Sequence, residues 1–220
     1  MNNMKKTAAL ALALSGVLAV GGMTAYFTDR DSQQNKIEIG EVKIDLTEPK
    51  WDAEKDDDGD GIKDHAEKVV PTQSIVKDPM VTNKGKNDAY IFVTFSIPKK
   101  NIYTALTDGN KANNGNKAVT QLFDFLNSAG AENTPNAGWT QLAKVTTDAN
   151  VNTYTYGYNK SVAPGASTNK LFDSVRFCNA IEGQDLENTV QNIDIKAYGI
   201  QSTNTGTMQE AYTKYLNQNK

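Results

Sequence analysis

The segment Ala89 to Ile97 constrains the fold more tightly than any other part of the chain. Ala89, Ile91, Val93, Phe95 and Ile97 alternate with Tyr90, Phe92, Thr94 and Ser96. Successive side chains of a β-strand point to opposite faces, so this pattern puts strand-forming residues on both sides of one strand. Such a strand is predicted to lie centrally in a sheet, covered on both faces, and the rest of the chain must supply its partners.

The partners are predicted from the same period. Lys36 to Leu46 alternates through Ile37 and Ile39, slips by one residue around Gly40, and resumes at Val42, Ile44 and Leu46, as two strand segments joined at a glycine bulge would. Trp139 to Thr147 and Val151 to Tyr158 flank the polar turn Asp148-Ala149-Asn150, forming a hairpin with Tyr154, Tyr156 and Tyr158 on one face. Pro164-Gly165 turns the chain toward a strand at Leu171 to Phe177, and Val190 to Gln201 reads as a last strand with Ile193, Ile195 and Ala197 together. Asp108 to Lys117, rich in Asn, Gly and Lys without periodicity, reads as a surface loop. Helical spacing occurs twice. Val119, Leu122, Phe123 and Leu126 predict a helix over Ala118 to Asn127 that ends near Gly130, and Met208, Ala211, Tyr212 and Tyr215 predict a C-terminal helix over Thr207 to Leu216. Many short strands without strand–helix alternation define an all-β fold, an antiparallel β-sandwich with short helices in its connections and at its C-terminus. The sequence has no glycine-rich phosphate loop, which disfavours a nucleotide-binding sheet.

Charge narrows the partners. Twenty-three Lys and Arg against 26 Asp and Glu give a net charge of −3, with no basic excess to displace counterions from a phosphate backbone, so nucleic acid is not an expected partner. Lys5 and Lys6 precede an uninterrupted apolar and small-residue run from Thr7 to Val20, which closes in Gly21-Gly22-Met23-Thr24-Ala25. This is the pattern of an export signal, residues 1–25, cleaved after Ala25, leaving residues 26–220 as a single sandwich domain. The alternative is a retained anchor, but the run falls short of the roughly 20 residues that span a bilayer. The expected product is secreted, acidic and free of a stable membrane anchor.

The sharpest chemical motif is an acidic loop inserted at residues 52–68. Asp56-Asp57-Asp58-Gly59-Asp60-Gly61-Ile62-Lys63-Asp64-His65-Ala66-Glu67 places carboxylates at positions 1, 3, 5, 9 and 12 of twelve, with Gly at 6. Calcium takes six to eight oxygens from a curled backbone, and this register provides them. The expected ligands are Asp56, Asp58, Asp60, the Ile62 carbonyl, Asp64 directly or through water, and a bidentate Glu67. Pro49 and Trp51 precede the loop instead of an amphipathic helix, and the apolar residue stands at position 7, so the loop departs from an EF-hand and resembles the DxDxDG loops of bacterial surface proteins and thrombospondin-type repeats. The competing reading is a solvated acidic linker. His65, the single histidine, is expected to face water because calcium prefers oxygen. A zinc site using His65 and Glu67 lacks the further ligands that zinc requires. Cys178, the single cysteine, reads as a buried small hydrophobe without a neighbouring histidine to activate it. Trp51 and Trp139 read as core or edge cover. No residue stands out as catalytic, and no pair of carboxylates is marked for glycoside cleavage.

Three segments together resemble the TasA/camelysin family of exported proteins. They are Thr24-Ala25-Tyr26-Phe27-Thr28-Asp29 with Ile39-Gly40-Glu41-Val42-Lys43-Ile44-Asp45-Leu46, then Ile75 to Val93 containing Lys77-Asp78-Pro79-Met80-Val81-Thr82-Asn83-Lys84-Gly85, and finally Ile195-Lys196-Ala197-Tyr198-Gly199-Ile200-Gln201. Tyr103 to Ala137 is not diagnostic, and the acidic loop looks like an insertion. The resemblance implies a jelly-roll sandwich, export through the dedicated signal peptidase SipW, and a cell-surface or biofilm-matrix role in which subunits assemble into fibres with themselves or related matrix proteins. Cleavage after Ala25 would free Tyr26-Phe27-Thr28, a short apolar strand former able to pair with an exposed edge of the next subunit. The alternative is that this segment folds back into its own sheet. The family name also implies a metalloendopeptidase, yet the sequence has no HExxH. A monomeric surface adhesin is the third alternative.

Overall fold

The computed structural model describes residues 39–219. The predicted export signal, the segment from Tyr26 predicted to follow it and Lys36 to Glu38 of the first predicted strand lie outside the described residues.

The central strand is present and longer than its alternating core. β4 runs Ala89–Ile102, pairing antiparallel with β11 (Asp194–Gln201) along one side and with β9 (Val151–Tyr158) along the other. β7 (Trp139–Gln141) and β8 (Thr146–Thr147) pair with β9 further out, while the end of β4 pairs with β5 (Ala118–Gln121). A three-stranded antiparallel sheet, β2 (Ser74–Val76), β10 (Ser174–Phe177) and β6 (Phe123–Leu126), lies against this large sheet, and β1 (Ile44–Thr47) pairs with β3 (Met80–Asn83). The fold is therefore an all-β antiparallel sandwich, with the chain passing back and forth between its sheets.

One face of β4 is buried along the core and the other is covered at Phe92. Ile91, Val93, Phe95 and Ile97 are buried in the core between the sheets. There the Phe95 ring lies 5.1 Å from each of Phe125, Tyr154 and Phe172, so aromatic residues of both sheets meet around it. On the opposite face Phe92 is fully buried against Met208 and Ala211 of the C-terminal helix Met208–Gln218, with Tyr212 5.0 Å away. Thr207 caps that helix reciprocally with Glu210. Further along, where no helix covers β4, Thr94 and Ser96 pair with Thr155 and Thr153 of β9 through hydroxyls. Tyr154, Tyr156 and Tyr158 are buried on one face, and the Asp148 side chain closes the turn by accepting from the Asn150 and Val151 N–H groups.

One predicted helix is absent. Ala118 to Asn127 forms β5 and β6, with Leu122 buried at the break between them. Phe123 and Phe125 also alternate around Asp124, and their burial against β10 across the small sheet outweighs the local helical spacing. Gly130, read as a helix stop, instead takes φ +77 in the turn that follows β6. Other predicted strands are shorter in the structure. The Gly40 bulge is not formed as a strand: ordered pairing begins at Ile44, although the Lys84 and Lys86 N–H groups donate to the Lys43 and Glu41 carbonyls. This close approach is possible because position 85 is glycine, where a Cβ would collide with the Glu41 carbonyl. Leu171 and Phe172 are buried ahead of β10 without joining it.

Candidate functional site

The acidic loop curls because its own carboxylates accept from its own backbone. Asp56 accepts from the Gly59 and Gly61 N–H groups at 2.7 and 3.2 Å, Asp58 from Asp60 at 3.2 Å, and Asp60 from Ile62 at 2.8 Å. Gly59 and Gly61 take φ of +74 and +88, a region that L side chains rarely adopt. The result gathers one oxygen from each of Asp56, Asp58 and Asp60 within 4.8 Å of one another. Three like charges this close repel, and a divalent cation of suitable size would relieve that repulsion.

Asp64 and Glu67 are not part of this group. Ile62 is half-buried, with its N–H committed to Asp60. Asp64 begins a single 3-10 turn, Asp64–Ala66, and its carboxylate accepts from the Asp57 N–H at 2.9 Å, tying the two ends of the loop together. Glu67 is half-buried and 3.8 Å from the Lys68 ammonium. The donor set is all oxygen, which fits calcium in kind, and the triad supplies three of the ligands expected from the sequence.

His65 does not face water as expected. Both ring nitrogens are buried, the ring meets Trp51 edge-on at 5.4 Å, and Nδ1 lies 3.6 Å from a Glu54 carboxylate oxygen. Trp51, the largest apolar group near the loop, draws the imidazole inward. Trp139 is buried, with its indole N–H donating to the Asn169 carbonyl, and so serves as edge cover. Cys178 is half-buried beside the core, and burial pushes its thiol up to about 11.

Beside the loop is a cleft of about 1040 Å³, lined on one side by residues 60–62 and 66–71 and on another by residues 181–183 and 186–194. Ile75, Val175 and Phe177 of the small sheet give it an apolar wall.

A second cluster was not legible in the sequence. Asp78 is fully buried and holds the helical turn Pro49–Asp52 through the Lys50 and Trp51 N–H groups at 3.0 and 3.3 Å. It also pairs with Lys170 at 2.8 Å. Lys77 pairs with Glu48 at 2.8 Å and lies over the Trp51 ring. Burial raises the Glu48 carboxyl above its ordinary value against the opposing pull of Lys77. Asn83, also fully buried, donates to the Asn87 and Val162 carbonyls and accepts from the Gly85 N–H. The Lys77-Asp78-Pro79 and Asn83-x-Gly85 stretch is thus a set of clips that fix the backbone around β3. The partners of Lys77 and Asp78 and one carbonyl held by Asn83 are distant in sequence, which a run of polar residues does not reveal.

No protein-family model matches the chain, and comparison with curated proteins finds no match. Among the described residues no helix is long and apolar enough to cross a membrane.

Proposed function

We propose that this chain is an exported structural protein of the cell surface or biofilm matrix, related to the TasA/camelysin proteins and released by a SipW-type signal peptidase. It assembles into fibres by passing its N-terminal segment to the next subunit, and its Asp56 to Glu67 loop binds calcium. The observation that carries this reading is the edge of the large sheet. β11 spans eight residues, and among the described residues it is laddered to β4 alone, with Val42 and Ile44 packed near Gly199; an edge strand of this length is the kind of partner an added strand takes. The use of Lys77, Asp78 and Asn83 as architectural clips also supports a structural role for the segment that resembles the family. A strand passed head to tail does not close on itself, and repetition gives a filament.

The calcium loop would act at extracellular concentrations, with an affinity of about 0.1–1 mM expected for such modules. Asp56, Asp58 and Asp60 would hold the ion, which would neutralise their repulsion and stiffen the rim of the neighbouring cleft. Peptidase chemistry has less support: the sole histidine is turned against Trp51 and Glu54.

Strand passing is tested by comparing chains that begin at Tyr26 and at Lys36 under electron microscopy. Fibres from the first and none from the second are expected. Indistinguishable fibres from both would rule out the exchange.

A further inference from the structure

The Lys170–Asp78 pair has the arrangement of a self-forming cross-link. The Lys170 ammonium nitrogen is 2.8 Å from Asp78 Oδ2, and Asp78 has no exposed surface. The other carboxylate oxygen, Oδ1, accepts from the Lys50 and Trp51 N–H groups at 3.0 and 3.3 Å, two backbone donors fixed at the start of a helical turn, and the Lys50 N–H also reaches Oδ2 at 3.2 Å. The Asp173 carboxylate lies 3.9 Å from the same Lys170 nitrogen, and Asn136 holds it in place by donating to its other oxygen at 2.6 Å. The backbones on either side are already joined, by Leu171 N–H to the Pro79 carbonyl at 2.8 Å and Thr168 N–H to the Val81 carbonyl at 2.9 Å. Nucleophile, acyl carbon, paired donors and a proton-carrying group are therefore held together by the fold.

We propose that Lys170 and Asp78 form an intramolecular isopeptide bond. The Lys170 ammonium passes one proton to Asp78 Oδ2, giving a neutral amine and a neutral carboxylic acid. The amine nitrogen attacks Asp78 Cγ, and negative charge develops on Oδ1, where the Lys50 and Trp51 N–H groups already point. Asp173 takes a proton from the attacking nitrogen and returns it to Oδ2, which leaves as water. One C–N bond forms, one C–O bond breaks, one water is released, and no oxidant or other reactant is consumed. The drive is physical: the charge on Asp78, which has no exposed surface, is replaced by a neutral amide, and the fold holds the two groups together at high effective concentration, with the Lys170 side chain half-buried. In a chain with one cysteine this is a covalent staple that a disulfide cannot provide.

The test is the mass of the exported full chain, purified and then denatured. The expected result is a mass lower by one water than the sequence requires for its N-terminus, a branched peptide joining the segments that hold Asp78 and Lys170, and resistance of Lys170 to trypsin. Lys170→Arg should restore the full mass. Asp173→Asn, if folded by circular dichroism, should carry a smaller linked fraction, and an unchanged fraction would remove Asp173 from the reaction. Full mass in the unaltered protein would overturn the proposal. So would a water loss that maps to Asp58-Gly59 or Asp60-Gly61, where a backbone succinimide gives the same mass change.

Discussion

The core around Phe95 and the loop around Asp56 are held by opposite kinds of contact. Phe95 meets Phe125, Tyr154 and Phe172, each on a different segment, and its position is fixed by strand register across the sandwich. Asp56 and its neighbours are held by hydrogen bonds that span only two to seven residues. The first arrangement is cooperative and indifferent to ions. The second is local, and it concentrates like charge at its centre. The sandwich is therefore expected to fold with or without calcium, while the loop responds to it.

The largest expected effect lies in the core. Phe95→Ala should lower stability by about 3–5 kcal/mol in denaturant unfolding, because the cavity is walled by rings on several strands and cannot collapse. Calcium affinity of the folded fraction should be unchanged; a matched loss of affinity would mean that the loop depends on the core after all. Asn83→Ala comes next, at roughly 1–3 kcal/mol, since it removes the partner of the half-buried Gly85 N–H and Asn87 carbonyl and leaves the buried Val162 carbonyl with the Ala89 N–H alone. The same unfolding experiment reads it.

In the loop the signs separate. Asp56→Asn with Asp58→Asn should weaken calcium binding by about tenfold or more in calorimetry, since two charged ligands become neutral amides. Stability in chelator should change little, because relief of the mutual repulsion offsets the loss of one of the two backbone hydrogen bonds that Asp56 accepts. A large loss of stability in chelator would show the loop to be a structural element rather than a responsive one.

Smaller effects test the second face of β4. Thr207→Ala should cost about 1 kcal/mol of stability by removing the helix cap. Glu210, whose carboxyl is held below its ordinary value by the Thr207 N–H and hydroxyl, adds a pH dependence. An acid with a depressed folded value stabilises the fold above its unfolded value near 4.5, and this contribution is lost as the pH falls through the folded value. Titration of thermal stability across the acid range should show that loss in the unaltered protein and less of it in Thr207→Ala. The smallest effect concerns Cys178. With its thiol pushed up to about 11, alkylation at pH 8 should be slower than for free cysteine and should accelerate as pH rises. Fast labelling at pH 8 would place the thiol in a more open setting.

What the sequence revealed divides along the same line. The two-faced pattern of Ala89 to Ile97 led directly to a central strand, and the Asp-x-Asp-x-Asp-Gly spacing led to a gathered triad, because both depend on neighbours in the chain. The helical spacing of Val119, Leu122, Phe123 and Leu126 misled because β6 is determined by β10, a strand far along the sequence. The inward turn of His65 depends on Trp51, and the burial of Asp78 depends on Lys50 and on Lys170, none of which a local pattern can pair. The triad was legible, but not that Asp64 and Glu67 are no part of it, since the commitment of Asp64 to the Asp57 N–H is a property of the folded loop.

The central claim, a calcium-responsive structural subunit that assembles, is tested most directly by light scattering and negative-stain microscopy of the chain from Tyr26, first with calcium and then with chelator. The account predicts filaments, with their formation or stability changed when calcium is removed. A stable monomer in both conditions would contradict it.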